Sequence, residues 1–240
     1  MSCDFNNDTF FDYIDELKRK KGGRNYRLSV DELTRFITIH LRDNSPIKRI
    51  MSKDWITLQE MKCLARKCTG VVNLELTGSG KYIGDNLRFN INKKNVNFDL
   101  TNDVPNVDAD LTRKIVWHLH PWNVSLDYNR NIPNFFSLED IRVAIDYPNH
   151  IFIIFNMSCQ DPRIPVIYLV WADKGIKKNI AKKKLKDIYP DINFRLLNGD
   201  HQVDFFHFKK EMKEAGLNFH FLYRYDERSI KRILDNPCGY

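Results

Sequence analysis

The segment KIVWHLHPW, residues 114–122, carries two histidines at alternate positions of an apolar run. Its β-branched and aromatic residues predict a strand, and side chains alternate between the two faces of a strand. His118 and His120 are therefore expected on one face, with Cα atoms about 6.5 to 7 Å apart. Two imidazoles at this spacing can reach one metal ion, although an H-x-H pair is also compatible with two solvated or hydrogen-bonded strand residues. Pro121 is expected to end the strand beside them.

A hydrolytic zinc site needs three protein ligands, an open position for water and a base. Downstream, Ser137 and Asp140 stand three apart at a predicted helix start, where Asp140 can present its carboxylate from the first turn. The same Ser-x-x-Asp spacing is common in helix capping. Asp127 is an earlier acidic residue in an apparent loop, so Asp140 is preferred. Upstream, Glu75 ends an apolar run, where a carboxylate faces solvent or serves a function because burying it unpaired is costly.

Taken in order, ELTG (75–78), HLHP (118–121) and SLED (137–140) resemble the JAMM, or MPN+, metallopeptidases, whose pattern is a glutamate, an H-x-H-P and an S-x-x-D. The resemblance spans roughly residues 68–172. It implies that His118, His120 and Asp140 bind Zn²⁺. It also implies that Glu75 is the base that activates the zinc-bound water and that Ser137 stabilises the oxyanion.

The function implied by this resemblance is that of a zinc-dependent isopeptidase or peptidase. The implied substrate is an isopeptide bond that joins ubiquitin or a ubiquitin-like protein to a lysine. Two alternatives stay open. A long segment, residues 122–136, separates Pro121 from Ser137, which suits a non-catalytic MPN-like scaffold or interaction module, for example a subunit of a larger assembly. The other alternative is a basic, nucleic-acid-associated protein.

The charge of the chain supports this last alternative and also a simpler interpretation. The net charge of +7 comes from 38 Lys and Arg against 31 Asp and Glu, and basic residues concentrate in the segments 18–24 and 174–186. Such runs can meet phosphates, acidic protein surfaces or an import receptor, but lysines on a helix are commonly a solvated face. The charge alone does not decide between these uses.

Other features exclude several classes of protein. The five cysteines are scattered without a C-x-x-C pair, which favours a reducing compartment. The first 21 residues match neither a signal peptide nor a membrane span, so we expect a soluble cytoplasmic or nuclear protein. The segment TGSGK (77–81) lacks the spacing of a phosphate-binding loop, and GSGK is interpreted as a turn between strands.

The pattern of elements predicts an α/β fold with a mixed sheet flanked by helices, and the resemblance makes it JAMM/MPN-like, or cytidine-deaminase-like. Residues 1–67 are predicted as a helical segment, 68–173 as the α/β core and 174–240 as a basic, mainly helical extension. The predicted helices cover residues 8–20, 29–41 and 52–68, and a further helix after Ser137 has Ile141, Ala144 and Ile145 on its core face. The predicted strands are 70–76, 87–92, 96–100, 113–120, 150–157 and 165–172.

Overall fold

The computed structural model describes residues 7–21, 29–67, 76–91, 115–120, 123–124, 131–132, 138–148, 150–156, 165–197 and 205–235. The helices within these ranges are α1 Asn7–Lys21, α2 Val30–His40, α3 Pro46–Met51, α4 Leu58–Lys67, α5 Leu138–Asp146, α6 Lys178–Leu197, α7 Phe205–Glu214 and α8 Glu227–Asp235. The strands are β1 Ile56–Thr57, β2 Leu76–Ile83, β3 Asn86–Phe89, β4 Ile115–His120, β5 Asn123–Val124, β6 Asn131–Ile132, β7 Ile151–Asn156, β8 Ile167–Ala172 and β9 Leu217–Leu222.

Seven of these strands form one sheet in the order β1-β3-β2-β4-β7-β8-β9, and β5 pairs with β6 separately. The neighbours β4 and β7 run parallel, whereas the other neighbouring strands of the sheet run antiparallel. The prediction of an α/β fold with a mixed sheet flanked by helices is confirmed.

Each face of the sheet packs against its own layer of helices, because apolar side chains lie on both faces of the central strands. The first core contains Trp117 and Leu119 of β4 together with buried residues of α1, α2, α3, α4 and α8. The second core contains Val116 of β4 and buried residues of α5, α6 and α7. The predicted core face of α5 is confirmed, since Ile141, Ala144 and Ile145 are buried in this second core.

The helical character of the N-terminal segment is confirmed, and a capping box begins α2. The Glu32 N–H donates to Ser29 Oγ at 3.2 Å, and the Ser29 N–H donates to Glu32 Oε2 at 2.9 Å. A matching pair, in which Thr57 and Glu60 exchange hydrogen bonds, begins α4. The helix predicted over residues 52–68 begins only at Leu58, because Ile56 and Thr57 form the strand β1. Neither β1 nor the short helix α3 was predicted. The predicted strand over residues 96–100 lies outside the described residues.

The interpretation of GSGK as a turn is wrong, because residues 76–83 form strand β2. The Trp117 Nε1–H donates to the Asn90 carbonyl at 2.7 Å, directly over Gly78. A Cβ atom at Gly78 would lie 1.9 Å from that carbonyl oxygen and 2.5 Å from Trp117 Nε1. The glycine is therefore required for close packing within the sheet. The chain turns later, at Gly84, whose φ is 59°.

Strands from outside the predicted core segment also join the sheet. β1 lies within residues 1–67, and β9, which the sequence did not predict, lies within residues 174–240. The proposed domain boundaries stay a prediction. None of the helices in the described ranges has the length and apolar character that crossing a bilayer requires.

Substitution of Gly78 by alanine should destabilise the protein, because the new methyl group has no space between Asn90 and Trp117. Overpacking of this kind costs about 1 to 3 kcal/mol in the free energy of unfolding. Urea denaturation measures it, and Gly175→Ala is the matched control, since nothing lies within 4 Å of a Cβ atom there. Equal urea midpoints for the two variants would contradict this account of Gly78.

Candidate metal centre

His118 lies in the middle of the sheet, on the central strand β4. It pairs with Thr77 of β2 and with Ile154 of β7. Its residue is only 7% exposed, which is unusual for a histidine on a strand. Because its chain neighbours Trp117 and Leu119 belong to the first core, alternation directs His118 to the opposite face, which α5 covers.

Helix α5 connects the parallel strands β4 and β7 across this same face. It ends at Asp146, and β7 begins at Ile151. A helix in such a crossover runs back along the sheet and begins on the side where the first strand ends. Its nine residues span about 13 Å at 1.5 Å per residue, which is most of the length of a six-residue strand. Asp140, the third residue of α5, therefore belongs to the helix end nearest the end of β4.

The first turn of α5 is held by a residue that the sequence did not single out. Tyr189 of α6 packs against the second core, and its hydroxyl oxygen accepts a hydrogen bond from the backbone N–H of Leu138, the first residue of α5. The first four N–H groups of a helix have no partner within the helix, so the tyrosine satisfies one of them from a neighbouring element. No local pattern could have revealed this contact, because the two residues are far apart in the chain.

The side chain of Asp140 is half-buried, and its carboxylate lies close enough to Tyr189 to act on it electrostatically. Burial raises the pKa of Tyr189 to about 12, and the negative charge of Asp140 adds to this effect. Tyr189 is consequently protonated at neutral pH. The start of α5 thus combines a fixed backbone with a carboxylate on the face of the sheet that carries His118.

The remaining proposed residues are described only in part. Glu75 and Ser137 lie outside the described residues, and His120 is described as the last residue of β4, without its side chain. Leu76, which follows Glu75 in the chain, pairs with Leu119, between the two histidines. Among the side chains that the structure describes, no group of three or more His, Cys, Asp or Glu residues could hold a metal ion. Of the five residues proposed for the site, only His118 and Asp140 have side chains among those that this result covers.

His118 of β4 and Asp140 in the first turn of α5 lie on the same face of the sheet. Imidazole nitrogen and carboxylate oxygen are both common ligands of Zn²⁺, and catalytic zinc sites combine them. His118 and Asp140 therefore supply two types of side chain that bind Zn²⁺, on one face of the sheet.

In comparisons with known proteins, no protein-family model matches the chain, and no similar curated protein or solved structure was found.

Replacement of Tyr189 by phenylalanine should lower the free energy of unfolding by about 1 kcal/mol, because the Leu138 N–H loses its acceptor. Tyr223→Phe, at a tyrosine that is 51% exposed, is the control and should leave the stability unchanged. Chemical denaturation at neutral pH measures both variants.

The same pair of variants predicts a pH dependence. The pKa of Tyr189 is raised from 10.0 to about 12 in the folded protein, so its contribution is complete below pH 10 and is lost as the pH rises through 12. The stability difference between wild type and Tyr189→Phe should shrink over that range. A difference that stays constant from pH 8 to about 12 would show that the hydroxyl is not buried as described.

Proposed function

We propose that this protein is a zinc-dependent isopeptidase or peptidase of the JAMM type. One arrangement carries the proposal: the buried His118 faces the layer of α5, and Asp140 lies in the first turn of α5, at the helix end nearest the end of β4. The sequence pattern E, H-x-H-P and S-x-x-D supplies the other members of the set. The pairing of Leu76 with Leu119 supports it further, because Glu75 immediately precedes Leu76 in the chain.

In this proposal His118, His120 and Asp140 would hold the ion. When bound, Zn²⁺ would polarise the scissile carbonyl and lower the pKa of a water molecule toward neutrality. Glu75 accepts a proton from the attacking water and later delivers it to the leaving amine, as a general base and then a general acid. Ser137 donates a hydrogen bond to the oxygen that becomes negative in the transition state.

The proposed role of Tyr189 is to keep the first turn of α5 in place. A ligand displaced by about 1 Å loses much of its value in catalysis, so a helix start that carries a ligand benefits from rigid support. The hydrogen bond to Leu138 supplies this support from α6. Tyr189 touches neither substrate nor metal in this proposal and is a positioning residue.

The proposed substrate is a lysine isopeptide bond of ubiquitin or a ubiquitin-like protein. This choice rests on the family resemblance of the sequence motifs. The chemistry itself requires only an amide carbonyl that can approach the metal and a leaving amine that can take a proton from Glu75.

Glu75→Gln should retain zinc and lose cleavage, because glutamine keeps the shape of the side chain but cannot accept the proton. His118→Ala and Asp140→Ala should lose both. Metal analysis of the purified variants, with cleavage of a di-ubiquitin panel by the same samples, measures the two properties. His40→Ala, at an exposed histidine of α2, is the matched control and should keep both.

Two results would count against the enzyme. Cleavage that survives in Glu75→Gln would remove the role given to Glu75. A wild-type protein without zinc and without cleavage would favour the scaffold or interaction module, which needs neither.

A second candidate function, nucleic-acid binding, is favoured by the way in which the structure divides the lysines around α6. Lys182 forms an ion pair with Asp146 of α5 at 2.7 Å, and Lys184 pairs with Glu211 and Glu214 of α7 at 3.2 and 2.9 Å. These inner lysines link α6 to its neighbours α5 and α7. The outer lysine set is exposed: Lys174, Lys177, Lys183 and Lys186.

Neutralising the outer lysine set with glutamine should weaken binding to double-stranded DNA or single-stranded RNA and reduce its salt dependence. The slope of log K against log[salt] should fall by about 0.7 to 0.9 for each phosphate that the protein no longer neutralises. Lys182→Gln with Lys184→Gln is the control, which should affect stability more than binding. Equal retention of nucleic acid by the outer-set variant and the wild type would reject this second function.

A further inference from the structure

A groove of about 690 Å³ lies on the opposite side of the sheet from His118. Gln59 of α4, Asp85 of the turn before β3 and Asn86 of β3 contribute to its walls. The rest comes from the segment that joins β9 to α8 and from α8 itself. Helices α4 and α8 both pack in the first core, whereas His118 faces the second. The volume is in the range of small-molecule sites, and the groove is separate from the candidate metal centre.

The carboxylates that line the groove are engaged with the chain's own donors. Asp226 accepts a hydrogen bond from the Ser229 hydroxyl at 2.6 Å and another from the backbone N–H of Arg228 at 3.1 Å, and so caps α8. Glu227 accepts from the backbone N–H of Leu87 at 3.0 Å. Asp85 lies 3.4 Å from the ammonium group of Lys231. These acidic groups therefore stabilise the walls of the groove.

The two arginines of the groove differ from these carboxylates in their contacts. Arg224 and Arg228 are both exposed, and neither guanidinium forms an ion pair or hydrogen bond with another of the described residues. A guanidinium presents five N–H donors in a planar fork that matches the oxygens of a phosphate or carboxylate. Arg224 lies in the segment before α8 and Arg228 in the first turn of α8, and both line the groove.

Tyr225, which follows Arg224 in the chain, supplies an aromatic wall. Its ring stacks on Phe155 of the first core, with centroids 6.0 Å apart and an interplanar angle of 10°. The ammonium group of Lys62 lies 5.9 Å from the centroid of the same ring. The ring is thus held in place on a rigid strand residue. An apolar group attached to a bound oxyanion can pack against it.

We propose that this groove binds a phosphate monoester, with Arg224 and Arg228 as the phosphate ligands and Tyr225 as the wall for the esterified group. A phosphate offers three terminal oxygens, which two guanidinium forks can share, whereas a carboxylate offers two. The formal charges of the lining cancel, since three acidic residues oppose Arg224, Arg228 and Lys231. Recognition therefore depends on directed hydrogen bonds and only weakly on net charge.

Calorimetric titration tests the proposal with three probes: inorganic phosphate, phenyl phosphate and a phosphotyrosine peptide beside its unphosphorylated form. Wild-type protein should bind phenyl phosphate at one site per chain, more tightly than inorganic phosphate because of Tyr225. Arg224→Gln with Arg228→Gln should weaken binding roughly tenfold or more. Arg232→Gln, at an exposed arginine of α8 outside the groove, should bind like the wild type.

The outcomes separate the sources of the phosphate and the possible failures. Binding of phenyl phosphate without the peptide supports a free metabolite, and binding of both supports a phosphorylated protein partner. No binding of any probe, or an equal loss in Arg232→Gln, overturns the proposal. Because Asp140 is not among the residues that line the groove, Asp140→Ala should bind phenyl phosphate normally, so the groove and the peptidase function are tested independently.

Discussion

The register of the central strand β4 is the constraint on which the candidate centre depends. β4 is buried on both faces and paired on both edges, so a slip of one residue would exchange its two sets of side chains. Trp117 prevents this slip, because its indole N–H binds the Asn90 carbonyl and its ring fills the space above Gly78. With Trp117 fixed in the first core, alternation leaves His118 to face α5. The packing of one face thereby sets the orientation of a candidate metal ligand on the other.

The position of Asp140 depends on contacts of a different kind. The apolar residues of α5 fix the rotation of the helix on the sheet, but they leave its first turn without a defined partner for every backbone N–H. Tyr189 supplies one acceptor there, and Lys182 ties the other end of α5 through Asp146. Both residues belong to α6, so a single neighbouring helix contacts α5 near both of its ends. A carboxylate at this position can therefore keep a constant distance from β4.

The local features of the fold were predictable from the sequence, and the long-range ones were not. The capping box of α2 and the core face of α5 follow from short spacings, because they depend on residues three or four apart. The strand that contains GSGK was missed, since glycine is rare in strands and its reason lies in Trp117, far along the chain. β9 was missed for a similar cause: its alternation is short and follows a basic helical stretch. Of the candidate site, the order of motifs was readable, whereas the support from Tyr189 was not.

The two proposed anion-binding surfaces should respond to salt to different extents, because they differ in net charge. The outer lysine set presents like charges on an exposed helix, so its attraction for a polyanion comes from counterion release and falls steeply with ionic strength. In the groove the formal charges cancel. The Ser229 hydroxyl, neighbouring backbone donors and the charge of Arg224 lower the pKa of Asp226 further below neutrality. A phosphate there gains little from the general field and must be held by short, oriented guanidinium bonds. The outer lysine set and the net charge of +7 therefore suit the α6 surface to long-range attraction of a polyanion. Binding in the groove depends instead on the geometry of the hydrogen bonds.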